Sequence, residues 1–362
     1  MSGPAGGTAR ASAATDVVCL GESMVTFLPS QPGRLADVPS FGRGIGGAES
    51  NVACALAAAG HRAAWVGRVG ADGFGDHLVE TIGGYGVDTS AVRRDPVRPT
   101  GIYFRTATDR GAGAHEVAYY RAGSAASAMS PANVPYEEVF AGRVLHLSGI
   151  TAALSADCLE LVRELTAPRP GRPLVSFDVN HRPHLWRGGA ADASVLLELA
   201  RRCDLVFVGE DEAEEAWGIV GAEAIRAALP EPSVVVVKRG SAGATVFSGL
   251  RPGPRSSNAG GAEVVTPVPA LRVDVVAAVG AGDAFAAGFL SATLRGLPVR
   301  DRVRHGHLMA AAVLTVPGDL TEPPARDHAD RLVALDDEAW GRLRLGPGWT
   351  AADRAPEEVR TP

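Results

Sequence analysis

At 362 residues with a formal net charge of −6, the chain has none of the basic excess that a nucleic-acid partner asks for. No stretch approaches the roughly 20 apolar residues of a membrane-spanning helix, so a soluble protein is expected. The four cysteines, Cys19, Cys54, Cys158 and Cys203, lack C-x-x-C spacing, which argues for reduced thiols in a cytosolic protein rather than a disulfide or zinc framework. Residues 1–15 hold Ala, Gly and Ser with a single Arg and no apolar core; they read as a disordered extension rather than a signal peptide. From residue 16 to 318 strand and helix patterns alternate without a linker, which predicts one large α/β unit with a small excursion.

Residues 16–20 read as a buried first strand, and the Gly21-Glu22-Ser23 that follows lacks the G-x-G-x-x-G of a dinucleotide fold. A P-loop is absent as well, so any nucleotide is held by another device. Gly46-Gly47 opens a helix whose Val52, Leu56 and Ala59 share one face and which stops at Gly60, with Asn51 one turn in. Residues 100–106 and 116–120 alternate as a hairpin outside the main sheet. Arg121 follows that hairpin, and Asn180 and Arg182 follow the strand 174–179, where ligands sit in open α/β sheets. A guanidinium pair converging on one pocket suits a carboxylate, because the planar fork accepts it bidentately.

A further buried strand at 204–208 runs into Gly209-Glu210-Asp211-Glu212, acids favoured by a helix start. The apolar strand 234–237 ends at Lys238, the only lysine in the chain, and continues as Arg239-Gly240-Ser241-Ala242-Gly243-Ala244-Thr245, where glycines permit close approach of a nucleotide. Lys238 reads either as a phosphate contact or as a strand-end charge. Residues 250–261, rich in Gly, Pro, Arg and Ser, predict a mobile loop. A β-branched run at Val273, Val275 and Val276 then predicts a strand, followed by Gly280-Ala281-Gly282-Asp283 and a helix with Phe285 and Phe289 on one face, ending near Gly296 and Pro298. A second helix is expected over 301–316. Beyond Thr321 the pattern is weak and 321–362 reads as a C-terminal tail, with one helix near 336–343 and no chemistry assigned.

The turn before Asp283 carries the sharpest chemical signal. Unpaired backbone N–H groups and the positive end of a helix dipole attract phosphate there, and a carboxylate would repel it unless it serves to take a proton from an attacking hydroxyl. With an unperturbed pKa of about 3.9, Asp283 is expected to be ionised and ready as a base. Taken alone, the same stretch is equally an ordinary first-turn acid among packing glycines.

G-A-G-D followed by A-F-A-A-G-F resembles the second signature of the PfkB-type (ribokinase-like) carbohydrate kinases, and Gly46-Gly47, Asn51 and the run from Gly67 to Gly75 resemble the first. The resemblance covers roughly residues 16–319 and implies a ribokinase-like three-layer fold with a mostly parallel sheet. It also implies a small β lid, approximately 24–41 and 98–121, that supports dimer contacts. Gly46-Gly47-Ala48-Glu49, Tyr119-Tyr120-Arg121, Asp178-Val179-Asn180-His181-Arg182 and His146 to Ile150 look like the 2-keto-3-deoxygluconate kinase branch. The activity implied is transfer of the ATP γ-phosphate to O6 of that sugar acid. In this reading Asp283 is the base, and Gly280, Ala281 and Gly282 supply the anion hole. Gly46, Gly47, Asn51, Tyr103, Tyr119, Arg121, Asn180, Arg182 and Asp319 surround the sugar acid. Glu212, Lys238 and residues 240–245 serve ATP with Mg2+, without a side-chain metal cage. Two positions depart from the family. Ala277-Ala278 replaces Asp-Thr, which puts a monovalent-cation requirement in doubt, and Gly209 replaces the Asn of N-x-x-E. A fructokinase, a ribokinase or a non-catalytic sugar-binding homologue are the alternatives.

Overall fold

The computed structural model describes residues 14–31, 33–106, 116–186, 192–249 and 262–351. Most of the expected N-terminal extension, the tip of the hairpin and the loop expected over 250–261 lie outside the described residues. Among the described residues an eight-stranded sheet runs, in spatial order, Val264–Val268, Ala244–Ser248, Val234–Lys238, Leu205–Gly209, Leu174–Asp178, Val144–Ser148, Val17–Leu20 and Ala63–Val66. The strands from Val234–Lys238 to Ala63–Val66 pair parallel, and the two at the other edge pair antiparallel.

Sequences such as VVCL and LVFVG are buried along their whole length, as expected where helices cover both faces of a parallel sheet. Successive side chains serve opposite faces: Val18 and Leu20 join one apolar cluster, Val17 and Cys19 the other. Each fully buried Val, Leu or Phe contributes about 1.5–3 kcal/mol. On the first face lie helices Ala156–Thr166 and Ser194–Arg201. On the second lie Ala48–Ala58, Gly73–Gly84, Ala281–Leu294 and Val299–Leu314. These three layers match the ribokinase-like α/β architecture. The four cysteines are free and buried.

A separate four-stranded sheet, ordered Phe41–Gly46, Met24–Pro29, Ile102–Arg105 and Val117–Tyr120, is the excursion anticipated over 24–41 and 98–121. Two expectations need correction. The strand over 273–276 shrinks to Arg272–Val273, because Val275 and Val276 are about 40% exposed and have no buried face to serve. The segment past Thr321 is no loose tail. Helices Arg326–Val333 and Asp337–Arg342 pack Ala329, Leu332, Val333 and Trp340 against Leu308, Ala311 and Ala312, and Arg344–Leu345 pairs with Arg272–Val273. Among the described residues no helix is long and apolar enough to cross a membrane.

Candidate active site

The site forms where the C-terminal ends of the central strands meet the start of helix Ala281–Leu294. Gly280 caps that helix at φ 81°, a left-handed backbone that glycine adopts without strain. A Cβ at Gly280 would stand 2.5 Å from the Asp319 carbonyl oxygen, so the Asp319 backbone lies directly against the turn. Asp283, in the first helical turn, accepts a 2.8 Å hydrogen bond from Asn51 Nδ2 on the facing helix Ala48–Ala58. The two sequence motifs, 232 residues apart, therefore meet at one carboxylate.

Lys238 ends its strand with Nζ 3.0 and 3.2 Å from the Asp178 oxygens, 3.9 Å from Glu212, and 3.8 Å from the place of a Cβ on Gly282. It thus faces the glycine turn. Burial would lower its pKa, but Asp178 and Glu212 hold it above the ordinary lysine value. Glu212 also accepts from the Gly209 backbone N–H at 2.6 Å, closing the start of helix Glu210–Trp217 where the family's Asn is missing. Arg182 lies 3.8 Å from Glu212 and is 45% exposed at its side chain. Asn180, at φ 41°, is buried with its Oδ1 unpartnered.

The expectation of an ionised Asp283 needs revision. Burial comes first and pushes its carboxyl up to about 7, with Asp178 and Asp319 adding repulsion while Asn51 and Arg182 oppose. Asp319 is likewise raised by burial against the pull of Arg105 and Tyr103.

On the side of the small sheet, Tyr103 donates to Asp319 at 3.1 Å, and any side chain at Gly46 would strike the Tyr103 hydroxyl, its Cβ 2.2 Å away. Gly47 packs as closely on the Glu22 carbonyl, 2.4 Å from its Cβ position. Tyr119 is 39% exposed, 5.5 Å from the Tyr103 ring and stacked at 5.1 Å on His184, which brings the small sheet to the Arg182 segment. Arg121 is not a free guanidinium. It pairs with the buried Glu22, which Ser124 also contacts at 2.7 Å, while its Nε remains buried without a partner.

Beyond Lys238 lies an open cavity of about 2070 Å³ whose walls include Glu212, Lys238, Gly240, Ser241, Gly243, Ala244, Ala281 and Gly282. Ala242 and Thr245 fall outside its lining, Ala242 on the exposed side of a short turn and Thr245 buried against Val237 in the sheet. Arg342 and Arg344, from the segment expected to be a tail, supply another wall. Sequence reasoning missed these two, along with Asp178, Glu22 and Arg105. Asp178 stood at a strand's C-terminal end and Arg105 two residues from Tyr103 on the same strand face, so each had a positional signal. Among the described residues no group of three or more His, Cys, Asp or Glu could hold a metal ion.

The family model for "pfkB family carbohydrate kinase" matches residues 14–326. A 2-dehydro-3-deoxygluconokinase of Bacillus subtilis is 35% identical, the match covering 86% of this chain and 93% of that protein. One of Thermoproteus tenax is 32% identical over 90% of this chain and 97% of its own length. The solved PfkB protein from Polaromonas sp. JS666 superposes with a TM-score of 0.73 at 32% identity, covering 89% of this chain and all of that one. A buried carboxylate beside a glycine turn at the end of a parallel sheet, with this family match spanning most of the sequence, leads to one conclusion: the chain belongs to the pfkB family of carbohydrate kinases and is an ATP-dependent sugar kinase.

Proposed function

We propose that the protein transfers the γ-phosphate of ATP to O6 of 2-keto-3-deoxygluconate, the substrate that names two of its relatives. The observation that carries the mechanism is the Asn51–Asp283 hydrogen bond, which fixes a carboxylate at the mouth of the Gly280–Gly282 turn. Asp283 accepts the O6 proton as the O6–phosphorus bond forms and the bond from phosphorus to the ADP oxygen breaks. A base with a pKa near 7 suits proton transfer at neutral pH. The backbone N–H groups of residues 280–282 and the Lys238 ammonium face the charge that develops on the phosphoryl oxygens.

Asp178 and Glu212, the carboxylates beside Lys238, fit a Mg2+ that keeps most of its ligands as water and phosphate oxygens. Bound there, Mg2+ would offset charge between the β- and γ-phosphates. Tyr119, Asn180 and Arg182 surround the place for the sugar acid, with Tyr103 and Asp319 beneath it. Arg182 is the freer guanidinium for its carboxylate, and Arg121, anchored by Glu22, adds positive charge from beneath the small sheet. Buried Ala277 brings no carboxylate to a monovalent-cation site. The same reading places the enzyme, with its reduced thiols, in the cytoplasm.

ADP release from Mg-ATP is the test, comparing 2-keto-3-deoxygluconate, 2-keto-3-deoxygalactonate, fructose and ribose, each with potassium or tetramethylammonium. Turnover confined to the keto-deoxy acids, at equal rates with either cation, is the expected result. Turnover on fructose or ribose instead would leave the kinase and discard the sugar acid; a folded protein silent on all four would favour a non-catalytic homologue.

A further inference from the structure

Arg105 has no part in the mechanism so far. It ends a strand of the small sheet, yet it is only 2% exposed, and its guanidinium leaves that sheet to grip residues 317–319. Nη2 donates to Asp319 Oδ1 at 2.5 Å and to the Pro317 carbonyl at 3.5 Å. Asp319 then faces three ways. Its carboxylate accepts from Tyr103 and lies 3.1 Å from the Cβ position of Gly46, and its backbone abuts Gly280. One short segment therefore touches two strands of the small sheet and the cap of the Asp283 helix.

Removing both charges of an ion pair from water cancels most of what their attraction returns, so a buried pair is poorly explained by stability and better by the register it fixes. The Arg105 Nε, buried without a partner, adds a cost that an apolar side chain would avoid.

We propose that Arg105 is a positioning residue that fastens the small sheet to the anion-hole turn through Asp319, so that closure over the sugar and alignment of residues 280–283 are one event. The inference rests on the kinase reading of the Asp283 site. Its consequence is economy of ATP: the N–H donors stay in line only while the small sheet is seated on the turn, where it keeps water from the phosphoryl group.

The experiment compares Arg105→Met and Arg105→Lys in the full chain. It reads kcat, the ratio of ADP to sugar phosphate formed, and amide hydrogen exchange at residues 102–105 and 280–283. Arg105→Met is expected to lower kcat roughly 10–100-fold, as misalignment does, to raise the ratio above one, and to speed exchange in both segments. Arg105→Lys, which still reaches the carboxylate, is expected to recover most of the loss. A methionine variant with wild-type kcat and a ratio of one overturns the proposal, as does faster exchange at residues 102–105 alone. Should Arg105→Met fail to fold, Asp319→Asn weakens the same pair at equal volume, and exchange rising in only one segment again overturns it. The exchange arm needs no sugar turnover, so failure of the substrate assignment is distinguishable from failure of this linkage.

Discussion

Asp283 carries a proton affinity set by its surroundings: burial first, then two neighbouring carboxylates, with Asn51 and Arg182 pulling the other way. The folded carboxyl titrates at about 7 against an ordinary value of 3.8. The folded state thus holds the extra proton between these values, and stability drains away as pH rises through the window. Asp283→Asn removes that penalty. It is expected to lower kcat by about 10²–10⁴-fold while raising the melting temperature by a few degrees at pH 8, measured by calorimetry. In the wild type, kcat/KM falls on the acid side below about pH 7. Asn51→Ala, which deletes a hydrogen bond to the ionised form, moves that limb to higher pH. A profile unchanged by Asn51→Ala would detach this base from its observed partner.

Among the elements, the C-terminal helices and strand show how a wall of the cavity beside Lys238 is made. Arg304 is fully buried, donates to the Val333 and Leu335 carbonyls and to Asp337, and lies 4.4 Å over the Trp340 ring. Trp340 in turn donates to the Pro269 carbonyl, next to the strand that lines the cavity. Trp340→Ala empties the centre of this cluster and is expected to cost about 3–5 kcal/mol, read as an earlier urea midpoint. KM for ATP should rise more than KM for the sugar, because Arg342 and Arg344 shift with the helix while Tyr103 and Asp319 do not. The helix expected near 336–343 is present as Asp337–Arg342, but what it packs against was not legible in the sequence. The apolar residues Leu332, Val333, Trp340 and Leu345 are divided among three short elements, none long enough to show a period. The central strands were legible for the opposite reason, since burial on both faces leaves uninterrupted apolar runs.

At the scale of the whole molecule, the site is assembled across the length of the chain. Asp283 was readable from its glycines and helix, and Asn51 from its own glycine turn. Arg105 shared a strand face with Tyr103, but that signal could not single it out, because arginine is common throughout this sequence and its partner lies 214 residues away. The small sheet also carries an aromatic run outward: Phe27 stacks on Phe104 at 4.7 Å, and Phe104 meets Phe41 and Tyr120 edge-on. Tyr120 is 64% exposed at its end. We take this face as the contact for a second copy, in a dimer or a multiple of dimers; light scattering of Tyr120→Glu should show monomers where the wild type shows a larger species. Wild-type mass at the single-chain value would remove that reading.

The solitary lysine gives the protein an unusual spectroscopic property. Because Lys238 is the sole lysine and its Nζ stands 3.8 Å from the place of a Cβ on Gly282, 15N enrichment at the lysine side-chain nitrogen gives a single ammonium resonance, placed beside the glycine turn. Titrating ATP, ADP or the sugar acid while following that one peak would separate occupancy of the two halves of the cleft with no label attached and no residue changed.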